Sequence, residues 1–262
     1  MVGSHIADRL LLLGAGRITL LDNLTRGRRQ NIEHVVTIPG RVTLVEGDIR
    51  DRTLVRELVE GMDYVVHQAA TRITHCAEFP REGFEVLVDG SFNVIEAAAD
   101  AGVKKLVAAS SASVYGEPAY LPVDENHPFL NDTMYGAGKI AMEALLHVFA
   151  KRQGLDYCIF RPFNIYGERM DTTGAYTEVM IRWISAIHAE QAIQIHGDGT
   201  QAMDFVHVED VARAQVDALT LDEPRQIVNL GSGRSTDLNE LADLLIQVVG
   251  KSVPVEHVID ER

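Results

Sequence analysis

The chain has little cysteine, no excess of basic charge and no long hydrophobic run, and each shortage closes off a class of protein. Its two cysteines, Cys76 and Cys158, have neither metal-ligand spacing nor a disulfide-rich context. They read as reduced thiols in a cytoplasmic protein, with no metal site. Acidic residues outnumber basic ones by 38 to 24, a net charge of −14, which opposes nonspecific binding to nucleic acid or to an anionic membrane surface. A small molecule is the better partner, and an anionic one needs a locally basic pocket. The apolar stretches fall short of the roughly 18 to 20 residues that span a bilayer. Asp8 and Arg9 interrupt the first of them, where a signal peptide would run on unbroken.

What is present suffices for a substantial core: 262 residues, 46% of them hydrophobic, make one large domain or one and a half smaller ones. Short apolar runs at 18–22, 42–48, 64–67, 106–111 and 157–161 alternate with helical patterns at 4–13, 54–60 and 92–101. This alternation predicts an α/β fold, a Rossmann-like doubly wound parallel sheet with helices on both faces. Ligands of such sheets bind beyond the carboxyl ends of the strands, where Asp22, Asp48, His67 and Ser111 fall. Past Arg161 the pattern loosens into a turn at 197–199, a short strand at 205–208 and helices at 208–218 and 236–249. Residues 1–163 are therefore expected to form one domain and 164–262 mainly a smaller second region. A strand near 226–230 returns to the first sheet.

The most informative stretch is Tyr135-Gly136-Ala137-Gly138-Lys139. A helix turns by about 100° per residue, so Tyr135 and Lys139 share a face one turn apart. Ser111, at the end of a strand-like run, can meet them in one site suited to moving the proton of a sugar hydroxyl beside a nicotinamide. A neighbouring ammonium should favour the phenolate and bring the phenol toward useful acid/base behaviour. Ala141, Ala144, Leu145 and Val148 recur at helical spacing and predict the core-facing stripe of the same helix. Tyr135 and Lys139 lie off the centre of that stripe.

Taken in order, several short motifs resemble one family. They are Val2-Gly3-Ser4-His5, Leu21-Asp22-Asn23-Leu24, Gly47-Asp48-Ile49, His67-Gln68-Ala69-Ala70, the segment 110–116, Tyr135 to Lys139, Arg161-Pro162-Phe163-Asn164 and Asp204-Phe205-Val206-His207. The chain resembles the extended short-chain dehydrogenase/reductases across nearly all its length, and within them the NAD-dependent sugar-nucleotide epimerases and dehydratases, nearest to the UDP-glucose 4-epimerases. Members of that family open with a strand and a three-glycine turn, of which only Gly3 is recognisable. The resemblance therefore implies an NAD-binding domain over 1–163 with a missing first strand, and mainly an incomplete substrate-binding region over 164–262.

The resemblance also implies roles. Asp22 and Asn23 would hold the adenosine ribose of NAD, with Arg26, Arg28 and Arg29 keeping the 2′-phosphorylated cofactor as an alternative. Gly3 would lie against the pyrophosphate, Asp48 and Ile49 at the adenine, and Ala69 and Ala70 along the cofactor. Tyr135 would be the general base and Lys139 would bind the nicotinamide ribose and lower the phenol's pKa. Ser111, with Ser110 and Ser113 as competitors, would hydrogen-bond the reacting oxygen. Asn164, Tyr176 and Thr177 would meet the nucleotide sugar, while His207 reads as structural. Two departures put the substrate in question: Met203 stands where relatives carry an arginine for the diphosphate, and Leu87 where they often carry asparagine.

The implied reaction is C4 epimerisation of a nucleotide sugar, UDP-glucose and UDP-galactose first, through a transient 4-keto sugar. Another nucleotide-sugar enzyme (a UDP-uronate decarboxylase, a dehydratase or a reductase) is an alternative, as is a catalytically impaired or purely binding relative. A 4,6-dehydratase ranks lower because Ala112 and Ser113 supply no carboxylic acid. Relatives commonly form homodimers through two long helices, one of them the helix bearing Tyr135.

Overall fold

The structure is a computed structural model that describes residues 1–38, 40–172 and 178–258. Its strands are β1 (Ile18–Asp22), β2 (Val42–Glu46), β3 (Tyr64–His67), β4 (Lys105–Ala109), β5 (Tyr157–Pro162) and β6 (Asn164–Tyr166). They continue with β7 (Ile193–His196), β8 (Ala202–His207), β9 (Gln226–Leu230), β10 (Ser235–Asp237) and β11 (Val255–Val258). The helices are α1 (Val2–Leu12), α2 (Glu33–Val36), α3 (Arg52–Val59), α4 (Ile73–Glu78) and α5 (Pro80–Phe84). After them come α6 (Ser91–Asp100), α7 (Met134–Gln153), α8 (Val179–His188), α9 (Val208–Asp217) and α10 (Leu238–Val249). The chain divides into two units, 1–163 with 207–230, and 164–206 with 231–258 among the described residues. Helix α9 thus belongs to the first unit together with β9.

The first unit is the Rossmann-like α/β body. Its strands are parallel, but they form two sheets: β1 pairs with β2, and β3-β4-β5-β9 make a four-stranded sheet. Strands β1 and β3 share no ladder, so each has an open edge. Side chains of the larger sheet alternate between two cores, as a strand's period of two requires. Leu106, Ala108, Tyr157 and Ile159 point into the core of α3, α6 and α7. Val107, Cys158 and Phe160 point into the core shared with α1 and α9. Every residue of β5 is buried, which is why residues 157–160 read as an unbroken apolar run rather than an alternating one.

Helix α7 corrects the expected stripe. Its buried residues are Gly136, Gly138, Lys139, Met142, Glu143, Leu146, Phe149 and Ala150, whereas Ala144 and Val148 are exposed and Ala141 and Leu145 only partly covered. The inward face carries two charged residues, so hydrophobicity alone pointed to the wrong side of the helix. The ends were readable: Thr133 caps the N-terminus by accepting from Gly136 N at 3.0 Å, a bond worth about 1 kcal/mol. Gly154, at φ 76°, closes the C-terminus.

The second unit contains the antiparallel sheet β10-β8 joined by β6, and the parallel pair β11-β7. Its core gathers Trp183, Ile187, Ile193, Ile195, Leu238 and Leu241. The helix expected from 236 begins at Leu238, because residues 235–237 pair with β8 and Asp237 accepts from Glu240 N at 2.8 Å as a cap. No helix among the described residues is long and apolar enough to cross a membrane.

Candidate active site

The site is built at the carboxyl ends of β1, β3 and β4 and on the first turns of α7. Beyond β4, Ser110 and Ser111 lead into a 3-10 turn over residues 112–114. Ser111 Oγ accepts from Ser113 N at 3.1 Å and lies 3.1 Å from Ser113 Oγ. That turn sits close to α7 because glycine is available: a Cβ on Gly136 would meet Asn131 Oδ1 and come 2.8 Å from Ser113 O. Gly138 admits Leu87, whose Cβ would lie 2.6 Å from an added Cβ. Leu87 is itself 1% exposed, packed against the helix.

Ser111, Tyr135 and Lys139 are brought together as the spacing predicts. Ser111 lies beside the Tyr135 hydroxyl and favours its ionised form, and the Lys139 ammonium lies 5.8 Å from the Tyr135 ring centroid while donating to Ala109 O at 2.6 Å. The direction of the phenol's pKa differs from expectation. Burial pushes it above the ordinary tyrosine value, with the Ser111 side chain and the charge of Arg26 acting the other way. Desolvation disfavours the charged form of any buried acid, and here it outweighs the neighbours. The same effect lowers Lys139 to about 8, opposed by the charge of Glu143. His67, which closes β3 with its Nε2 2.9 Å from Ser91 Oγ, is lowered to about 3 by burial and by the Lys139 charge.

Around these residues lies a buried polar cluster that hydrophobic patterning passed over. Arg161 holds Glu143 through two bonds, Nε to Oε1 at 3.0 Å and Nη2 to Oε2 at 2.6 Å. Arg161 Nη1 donates to Tyr115 Oη at 2.8 Å, and that hydroxyl donates to Asn229 Oδ1 at 2.5 Å. Ser110 Oγ donates to Glu143 Oε1, so Ser110 supports the helix rather than competing with Ser111 for the open site. Cys76 of α4 is buried and interacts electrostatically with both Tyr135 and Lys139. One sequence signal could have revealed Glu143: Tyr135, Lys139 and Glu143 follow at intervals of four and stack on one helix face.

The remaining cofactor candidates are placed as follows. Asp22 ends β1, is exposed, and accepts from Leu24 N at 2.8 Å; Asn23 Nδ2 donates to Asp48 Oδ2 at 3.2 Å. Arg50 grips Asp48 with Nε and Nη2 at 3.0 and 2.8 Å and holds its carboxyl down at about 2. The Ile49 side chain is in the core, 8% exposed, and its carbonyl accepts from Asn93 Nδ2 at 3.0 Å. Ala69 is partly covered and Ala70 exposed. Gly3 lies in the first turn of α1. A helix N-terminus suits a pyrophosphate, and an exposed carboxylate at the end of β1 suits ribose hydroxyls. The residues therefore fit a dinucleotide.

In the second unit, Asn164 donates from Nδ2 to Asp204 O at 3.1 Å, and Met203 packs against that unit's core. Tyr176 and Thr177 lie outside the described residues. His207 ends β8, and its Nδ1 accepts from Glu209 N at 3.4 Å, capping α9.

Comparison with known proteins settles the class. Residues 1–231 match the NAD dependent epimerase/dehydratase family. The chain belongs to that family. It is an enzyme that uses NAD. A protein of Methanocaldococcus jannaschii named putative UDP-glucose 4-epimerase is 37% identical over 95% of this chain and 79% of its own length. A UDP-N-acetyl-alpha-D-glucosaminuronate decarboxylase of Bacillus cytotoxicus is 31% identical over 100% of the chain and 81% of its own length. Among solved structures, a UDP-N-acetylglucosamine 4-epimerase of Methanobrevibacter ruminantium, in complex with UDP-N-acetylmuramic acid, superposes with a TM-score of 0.93. It is 30% identical, and the match covers 100% of this chain and 83% of that one. The family member is thus a sugar-nucleotide epimerase or close relative.

Proposed function

We infer that the chain epimerises a nucleotide sugar at C4, most directly a UDP-hexose of the glucose/galactose pair, through a transient 4-keto sugar. The observation that carries this reading is the grouping of Ser111, at the carboxyl end of β4, with Tyr135 and, one helical turn further on, the buried Lys139. NAD supplies the acceptor that takes hydride from C4 and the donor that returns it to the opposite face. Asp22 and Asn23 hold its adenosine ribose, Gly3 the pyrophosphate, Asp48 and Ile49 the adenine end, Ala69 and Ala70 its flank, and Lys139 the nicotinamide ribose.

Tyr135 Oη takes the proton of the C4 hydroxyl as the hydride leaves, and Ser111 Oγ fixes that oxygen by a hydrogen bond. The phenol starts above its ordinary pKa, so the proton transfer needs positive charge nearby. Lys139 provides it, and the position of Tyr135 in the first turn of α7 adds the favourable end of the helix dipole. Asn164, Tyr176 and Thr177 are assigned to the nucleotide sugar. Ala112 and Ser113 offer no carboxylic acid for eliminating water, which disfavours a dehydratase. The decarboxylase relative keeps a uronic-acid substrate as the second reading.

The assembly proposed is a homodimer through α6 and α7. Phe92, which stacks edge-on against Phe149 at 5.6 Å, is 38% exposed, and Val148 is 45% exposed; together they make an apolar strip on those helices. Cytoplasmic residence is in keeping with two buried free thiols. The test is to purify the protein, assay bound NAD, and follow conversion of UDP-galactose to UDP-glucose against UDP-glucuronate and dTDP-glucose. Turnover of the UDP-hexose supports the reading. Bound NAD without turnover of any of these nucleotide sugars would overturn it.

A further inference from the structure

The packing of α7 on β5 raises a physical question: what makes it tolerable to bury both the Lys139 ammonium and the Arg161 guanidinium? Lys139 and Arg161 are each 3% exposed and Glu143 is 6% exposed. Two cations and one anion leave a single net positive charge in the interior, which an ionised Tyr135 would cancel. The groups acting on Lys139 come from several elements. His67 of β3 stays neutral through the physiological range, because burial lowers it to about 3. The Cys76 thiol of α4 is pushed upward by burial and is also neutral. Tyr135, on α7 itself, is raised and uncharged at rest. Glu143 is left as the anion that opposes the loss of the Lys139 proton.

Glu143 is also a mechanical link. Its Oε1 accepts from Ser110 Oγ, and Ser110 stands between Ala109, whose carbonyl accepts from Lys139 at 2.6 Å, and Ser111. One carboxylate on α7 thus ties down the segment that presents both the Lys139 acceptor and the reacting-oxygen contact. Arg161 on β5 fixes that carboxylate from the other side with two bonds. A fork of this kind defines orientation as well as charge.

We propose that Glu143 is a positioning residue of the proton-transfer site: one turn beyond Lys139 on the inward face of α7, its carboxylate supports the Lys139 ammonium and, through Ser110, holds Ala109 and Ser111 in place for Tyr135. This rests on the reading of Tyr135, Lys139 and Ser111 as the reacting trio. It adds that the trio works only with a fourth, non-reacting carboxylate beneath it.

The test uses the full chain labelled with ε-13C lysine. The sequence holds five lysines, and a Lys139→Met control identifies the Lys139 signal. In Glu143→Gln, which keeps the shape and one acceptor oxygen but removes the charge and the second acceptor, the Lys139 titration midpoint should fall by about one unit or more. The limb of the kcat pH profile that follows Lys139 should move the same way, with KM little changed. Glu143→Asp retains the charge one methylene further back and should give an intermediate midpoint; it carries the test by itself if the Gln variant does not fold. A purely structural role would lower the melting temperature and leave the midpoint where it is, and that result overturns the proposal. The titration needs no turnover, so the two ideas fail separately. A shifted midpoint in a protein that turns over no nucleotide sugar rejects the proposed reaction alone, and an unshifted midpoint in an active epimerase rejects the role of Glu143 alone.

Discussion

Acidifying the protein should destabilise it through His67, and the size of the effect can be worked out. His67 is 4% exposed at the end of β3, with Nε2 2.9 Å from the hydroxyl of Ser91, which is 2% exposed. Its folded value is lowered to about 3, by burial first and then by the charge of Lys139. The ordinary value is 6.5, so the unfolded chain binds a proton first as the pH falls. Stability therefore drops with falling pH from about 6.5 and goes on dropping until about 3. Between pH 7 and pH 5 the loss from this one group is about 2 kcal/mol, at ~1.36 kcal/mol per pH unit. Neighbouring shifts fall outside that window. Asp48, at about 2 when folded, acts below pH 4. Lys139, at about 8 when folded, lets stability rise with pH between about 8 and its ordinary 10.5.

The measurement is urea unfolding at pH 7 and pH 5, at matched ionic strength, for the wild type and for His67→Gln. The Gln amide can still reach Ser91 but does not titrate. Whatever the substitution costs at pH 7, the variant should lose about 2 kcal/mol less than the wild type on acidification. Equal losses in the two proteins would show that His67 is solvated or protonated in the fold, and the reasoning would fail.

Three further outcomes follow from the same geometry. Arg161→Met leaves Glu143 buried without its fork and should cost about 3 to 5 kcal/mol, read as a lower urea midpoint. Tyr135→Phe should abolish nearly all epimerisation while changing the melting temperature little, so an active Phe variant would remove Tyr135 from the mechanism. Asp22→Ser removes the carboxylate proposed to bind the ribose hydroxyls, an interaction worth roughly 1.5 to 3 kcal/mol for a charged hydrogen bond. It should weaken NAD binding by about ten- to a hundredfold and narrow the preference over the 2′-phosphorylated form, measured by cofactor fluorescence titration.

Local pattern alone was enough for the order of elements, because strand and helix periods depend on neighbours a few residues apart. The strands that end at Asp22, His67 and next to Ser110 were visible as apolar runs closed by polar residues, and Tyr135 and Lys139 as one helical turn. Short elements were harder. Residues 235–237 read as the start of a helix because a strand of three residues has no period of its own; pairing with β8 decides it. The 3-10 turn after Ser111 likewise depends on close approach to Gly136.

The sequence by itself determined an acidic α/β fold with candidate site residues at strand ends and on one helical turn, since composition, periodicity and the Tyr-Lys spacing are properties of the chain alone. Tertiary structure decided what surrounds those residues. It divided the parallel strands between two sheets, turned Lys139 and Glu143 inward where Ala144 and Val148 had been expected, and raised the Tyr135 phenol where a falling pKa had been expected. The reason is common to all three. Hydrogen-bond partners and desolvation are set by residues distant in sequence, so Arg161 and Ser110 can make a buried carboxylate on α7 favourable in a way that no reading along the helix discloses.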